Sequence, residues 1–123
     1  MAAALYVILR HEGIPRPHFD LMFQTSPGSK LATWRADAWR PTAMIDVEKL
    51  DDHRQAYLTF EGKISGDRGE VRRVEQGICS VERTGETWRI ELTPLPSGEK
   101  FVLTIQKRDG KWKAQGTYSS DPA

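Results

Sequence analysis

The chain has 123 residues, 38% hydrophobic and 28% charged, with a formal net charge of +1 and a single cysteine, Cys79. That length suits one domain with one core, and that balance marks a globular chain rather than a wholly disordered one. One thiol excludes an intramolecular disulfide and fits a reducing compartment, so a cytoplasmic protein is expected, and the near-neutral charge announces no strongly basic duplex-binding face.

The longest apolar run, Ala2 to Leu9, is far short of the roughly 20 residues of a membrane span. It lacks the basic start of a signal peptide and reads as the first strand, with no membrane partner expected. Leu5, Val7 and Leu9 alternate with Tyr6, Ile8 and Arg10. Phe19, Leu21 and Phe23 then alternate with His18, Asp20, Met22 and Gln24. Such a period of two marks half-buried strands. The stretch Val47 to Leu58 breaks the pattern: Val47, Leu50, Arg54, Tyr57 and Leu58 fall on one helical stripe, and Asp46 can cap its start. A short helix is expected there. Cys79 lies in a strand-like stretch and reads as a buried small hydrophobe rather than a nucleophile. Two further alternating runs follow, at Trp88, Ile90, Leu92 and at Phe101, Leu103, Ile105. Asp109-Gly110 between Thr104–Arg108 and Lys111–Gln115 signals a hairpin. Many short strands with close turns predict a mainly β domain, an antiparallel barrel or sandwich with one or two short helices. It is expected to span residues 1–118 as a monomer, with 119–123 as a disordered tail. Basic clusters at Arg68, Arg72, Arg73 and at Lys107, Arg108, Lys111, Lys113 read as solvated strand faces.

All three histidines lie beside carboxylates in the first half: His11 before Glu12, His18 with Asp20, and His53 after Asp51 and Asp52. Imidazole with carboxylate makes either a first-row metal site or an acid/base pair. Residues two apart in a strand share a face, so His18 and Asp20 project together, opposite Phe19, Leu21 and Phe23. If that strand lines a barrel mouth, the pair can bind one ion. An antiparallel neighbour would bring His11 beside them, leaving positions open for water and substrate. The alternative for His18 and Asp20 is a solvent-exposed strand edge. For His53 it is a surface histidine at a helix end, and for Tyr57 a half-buried core aromatic one helical turn further on.

Four pieces of this sequence, in order, carry a resemblance: Arg10-His11, then His18-Phe19-Asp20, then Asp51-Asp52-His53-Arg54-Gln55-Ala56-Tyr57, then Phe60-Glu61-Gly62. Trp34 and the stretch Gly98 to Leu103, followed by Trp112, extend it over nearly the whole chain. Together they resemble the 3′-phosphoesterase domain of bacterial DNA ligase D proteins. The resemblance implies a compact antiparallel β-barrel with its site in a crescent-shaped groove. It implies a divalent cation, typically Mn²⁺, and trimming of 3′-ribonucleotides and 3′-phosphates during DNA repair by end joining. By position, His11, His18 and Asp20 would be the metal ligands, and His53 and Tyr57 would hold the scissile phosphate. Asp51 matches a family acidic residue near the site. Two departures stand out. Met22 replaces the family's phosphate-contacting arginine, and losing one preorganised donor can cost roughly 10²–10³ in rate. Arg10, Arg16 and Arg54 are the candidates for restoring that charge. The loop between His11 and His18 is also one residue longer than the family usually has. No polymerase or ligase module lies within these residues, so partners would be DNA or DNA/RNA 3′ ends and a DNA ligase in trans.

Three functions follow as expectations. The first is a metal-dependent 3′-phosphoesterase. The second is a binding module for DNA ends or a repair partner that Met22 has made catalytically silent. The third is a non-haem iron oxygenase whose facial triad is His18, Asp20 and His53.

Overall fold

A computed structural model describes residues 2–119. Nine strands form one antiparallel sheet: β1 (Ala4–Glu12), β2 (His18–Gln24), β3 (Leu31–Ala36), β4 (Ile45–His53), β5 (Gly62–Lys63), β6 (Glu70–Thr84), β7 (Thr87–Pro94), β8 (Phe101–Arg108) and β9 (Lys111–Tyr118). The order is β1-β2-β3-β4-β9-β8-β7-β6, and β6 pairs back onto β1, so eight strands close a barrel. Closure leaves those strands no free edge. The short β5 pairs on the outer part of β6. No helix among the described residues is long and apolar enough to cross a membrane.

All eight wall strands send apolar side chains to one cluster, which is therefore the barrel interior. Tyr6 and Ile8 come from β1, Leu21 and Phe23 from β2, Trp34 from β3, and Ile90, Leu103 and Ile105 from β7 and β8. Trp34 is fully buried, and its ring meets Trp88 edge-on at 4.9 Å and Trp112 at 5.7 Å. Such tilted pairs add to the area term because ring edge and ring face carry opposite partial charge. Cys79 is buried here, its S–H donating to the Gln24 carbonyl, and burial pushes the thiol up to about 12. That is an inert thiol, as expected. Beyond one end of the interior, the Glu75 carboxylate accepts hydrogen bonds from Tyr6, Trp39 and Arg40.

The hairpin expected at Asp109-Gly110 forms between β8 and β9. Both residues have positive φ, 51° and 77°, as a two-residue type I′ turn requires. The helix expected over Val47 to Leu58 does not form. Ile45–His53 is strand β4, and only Gln55–Leu58 makes a single 3-10 turn. Val47 packs on the interior while Leu50, three residues on, faces outward, so a strand apolar on both faces imitates a helical stripe. β4 also holds a β-bulge. Thr33 pairs with Leu50 but Leu31 pairs with His53, so β4 carries one extra residue against β3. A bulge reverses strand parity, and residues three apart then share a face. Asp46 caps nothing; it pairs with Lys113 on β9. Ser119 still donates its N–H to the Lys100 carbonyl, and the rest of the expected tail, 120–123, lies outside the described residues.

Candidate metal centre

The β1–β2 register sets His11 opposite His18, Leu9 opposite Asp20 and Val7 opposite Met22. Their strand neighbours Tyr6, Ile8, Leu21 and Phe23 fill the interior, so this second set faces outward. The site thus lies on the outer wall of the barrel, not at its mouth. The outer face is nonetheless dry. Val7, Leu9, Met22, Leu31 and Val71 form a second apolar cluster, roofed by Tyr57, Leu58 and Ile64 from the segment between β4 and β6. This explains why β1 is apolar on both faces.

At one edge of that floor three ligand groups converge. His18 Nε2 lies 3.3 Å from Asp20 Oδ1, and His11 Nδ1 lies 3.9 Å from Asp20 Oδ2. One ligand atom from each of the three residues lies within 4.8 Å of the others. The ring tautomers follow from their partners. The Nδ1–H of His18 donates to the Arg16 carbonyl at 2.9 Å, and the Nε2–H of His11 donates to the Arg68 carbonyl at 2.7 Å. A carbonyl only accepts, so each opposite nitrogen is the one left for the site. Backbone carbonyls commonly orient metal-binding imidazoles in this way. His18 Nε2 and Asp20 Oδ1 are buried, yet neither has a hydrogen-bond partner. Two bare acceptor atoms at 3.3 Å repel unless a proton or a metal ion lies between them. Ligands at about 2.0–2.2 Å from one first-row ion lie roughly 3–4 Å apart, so these spacings suit such an ion. Burial pushes the Asp20 carboxyl above its ordinary value, while His18, His11, Arg35 and His53 pull it back. His11 and His18 are paired directly across the β1–β2 hairpin.

The β4 bulge brings His53 to the same outer face. Its Nδ1–H donates to the Asp51 carbonyl at 2.8 Å, leaving Nε2 for the cavity. Tyr57 meets the His53 ring edge-on at 5.3 Å, and its hydroxyl makes no hydrogen bond among the described residues. Asp51 therefore contributes a backbone oxygen, and its side chain is not part of the cavity lining. A cavity of ≈ 170 Å³ joins these pieces: His11, Asp20, Met22, His53 and Tyr57 all line it. His53 stands outside the three-ligand group, so the structure does not bring together the triad of His18, Asp20 and His53 on which an iron site was expected.

Of the three arginines expected to restore charge, none lines this cavity. Arg10 lies over the Phe19 ring at 4.7 Å and bonds Glu12 at 3.2 Å. Arg16 sits in the exposed β1–β2 loop, and Arg54 lines a neighbouring groove. Two arginines that sequence reading missed do line the cavity, Arg35 and Arg68. Arg35 pairs in register with Asp20 across β2 and β3. A signal existed: Trp34 is a core residue, so Arg35 beside it in a strand must face outward. Arg68 had no such signal, because its place depends on how the 64–70 loop folds back. Met22 itself is buried in the apolar floor. Neither a protein-family model nor a curated protein matches this chain.

Proposed function

We propose that the protein is a divalent-metal-dependent phosphoesterase that processes 3′ ends of nucleic acid in DNA repair. One observation carries this reading: His11 and Asp20 of a two-histidine, one-aspartate ligand set line a single small cavity with His53, Tyr57 and two arginines. Two imidazoles and one carboxylate suit a first-row divalent ion, the resemblance points to Mn²⁺, and such an ion would neutralise phosphate charge and lower the pKa of water. The arginines support an anionic, oxygen-rich substrate, because guanidinium matches phosphate geometry.

Each residue has a separate task. His11, His18 and Asp20 hold the ion, fixed by the Arg16 and Arg68 carbonyls. Arg35 and Arg68 supply the charge that Met22 does not. When protonated, His53 donates from Nε2 to a phosphate oxygen or to the leaving oxygen, while its Nδ1–H stays on Asp51. The Tyr57 hydroxyl donates to a second oxygen. The apolar floor keeps water from screening these contacts.

The silent-binder alternative draws on one observation, the buried Met22 in the cavity wall. Primers with a 3′-phosphate or a 3′-terminal ribonucleotide separate the two readings. Turnover with Mn²⁺ that disappears in His18→Ala supports the phosphoesterase. End binding without turnover across divalent metals supports the silent binder.

A further inference from the structure

Beside the metal cavity lies a second, larger groove of ≈ 320 Å³, lined by residues of the single segment 54–68. Tyr57, Ile64 and Arg68 border both, so the two spaces adjoin. The groove is basic and aromatic: Arg54, Lys63 and Arg68 line it with Tyr57 and Phe60, and no acidic residue does. Among the described residues, Arg54 and Lys63 form no ion pair with their side chains. Phe60 is 38% exposed, unusual for so large an apolar ring, and its ring meets Tyr57 at 6.0 Å. The aromatic series His53, Tyr57, Phe60 thus leads out of the metal cavity into the groove.

The segment is held in place before any ligand arrives. Glu61 accepts the Arg73 backbone N–H at 3.0 Å and pairs with its guanidinium at 3.5 Å. Gly62, at φ 124°, turns the chain into β5, which pairs with β6. Tyr57, Leu58 and Ile64 pack on the outer apolar cluster. Phe60 is therefore presented to solvent by a fixed frame.

We propose that this groove binds a single-stranded nucleic-acid end, one base stacking on Phe60 and the adjacent phosphates lying between Arg54, Lys63 and Arg68. The proposal rests on the phosphoesterase reading for why an end arrives there, and it names where the flanking nucleotide goes. Single-strand binders combine such aromatic platforms with cationic grooves. A groove this size takes about one nucleotide, and a ring with cations suits a base with its phosphates better than an acidic peptide.

The test is fluorescence anisotropy with a short labelled oligothymidylate in EDTA, so that neither metal nor turnover is needed. Phe60→Ala should weaken binding about 5- to 150-fold, the range for one stacked base. Lys63→Glu should weaken it further and flatten the salt dependence, whereas Lys111→Glu on the β8–β9 hairpin, which does not line the groove, should change nothing. Circular dichroism checks that each variant keeps its strands. Wild-type affinity in both Phe60→Ala and Lys63→Glu overturns the proposal. So does displacement of the DNA by oligoglutamate of equal charge, or failure of the wild type to bind. Groove-dependent binding with no phosphoesterase activity would defeat only the earlier reading. Activity with no groove dependence would defeat only this one.

Discussion

The Nε2–H of His11 donates to the backbone carbonyl of Arg68 at 2.7 Å, across 57 positions of sequence. This one bond ties a candidate metal ligand on β1 to the loop that closes the site. Its geometry depends on Gly69. That residue has φ 79°, and a Cβ there would collide with the Glu12 carbonyl oxygen. Gly69→Ala must therefore shift the loop and with it the Arg68 carbonyl. Partners that orient ligand histidines are worth about 10–100-fold in metal affinity. Calorimetric titration with Mn²⁺ should show a loss of that size in Gly69→Ala. Unchanged affinity would mean that the loop does not position His11.

Asp20 predicts an unusual pH response. Burial raises its pKa in the folded protein above the ordinary carboxylate value of 3.8. Between those two values the folded state binds more protons than the unfolded state. The metal-free protein should therefore lose stability as pH rises through that window, with the full loss present above the folded pKa. Asp20→Asn removes the buried charge and should raise the melting temperature of the metal-free protein at pH 7. Saturating Mn²⁺ at about 100 times Kd should stabilise the wild type by about 2.7 kcal/mol, roughly 10 °C. Asp20→Asn should lose that gain. A metal-free variant less stable than wild type would count against a strained, ion-dependent carboxylate.

Arg35 takes the place of a phosphate clamp in this account. Its side chain is 43% exposed and pairs with Glu48 at 3.8 Å. Removing it should cost little stability, since a pair so exposed contributes about 0–1 kcal/mol. The same change should lower kcat for a 3′-phosphate primer by roughly 10²–10³, the cost of one transition-state donor. Arg35→Lys should recover part of the rate, because it keeps the charge and loses the fork. Steady-state kinetics on Arg35→Ala with a kcat close to wild type would exclude this role.

The contacts of the β3–β4 loop depend on Glu75. It takes hydrogen bonds from Tyr6 at 2.6 Å, from Trp39 at 3.0 Å and from Arg40 at 3.0 and 3.1 Å. Burial first, and Glu75 second, push the Tyr6 phenol well above its ordinary pKa. Glu75→Ala would leave the Arg40 charge and the Tyr6 hydroxyl unmatched, and both are largely enclosed. Loss of about 3–5 kcal/mol is expected in urea unfolding, as for other broken buried pairs. Mn²⁺ affinity should be unchanged, because this network does not touch the metal cavity.

The barrel was legible because its strands alternate strictly: Phe19, Leu21 and Phe23 point in, and His18 and Asp20 point out, as the period of two requires. The pairing of His11 with His18 followed from two strands joined by a short loop. The helix over Val47 to Leu58 was misread because Val47 packs on the interior and Leu50, three residues on, lines the outer cavity. A strand apolar on both faces imitates a helical stripe, and a bulge then brings His53 to the outer face. A bulge depends on the partner strand, and no local pattern reveals it. The position of the site on the outer wall was hidden for a related reason. Val7, Leu9 and Met22 look like interior residues, and only the folded 54–68 segment makes that outer face dry. The arginines of the cavity, Arg35 and Arg68, were hidden among many surface cations until pairing and loop closure singled them out.

The most direct test is release of inorganic phosphate from a primer carrying a 3′-phosphate, measured with Mn²⁺ on the wild type and His18→Ala side by side. The account predicts phosphate release by the wild type, none after chelation with EDTA, and a drop of at least roughly 10³ in His18→Ala, as when metal-assisted chemistry is lost. Wild-type protein that binds Mn²⁺ and releases no phosphate from any such primer would contradict it.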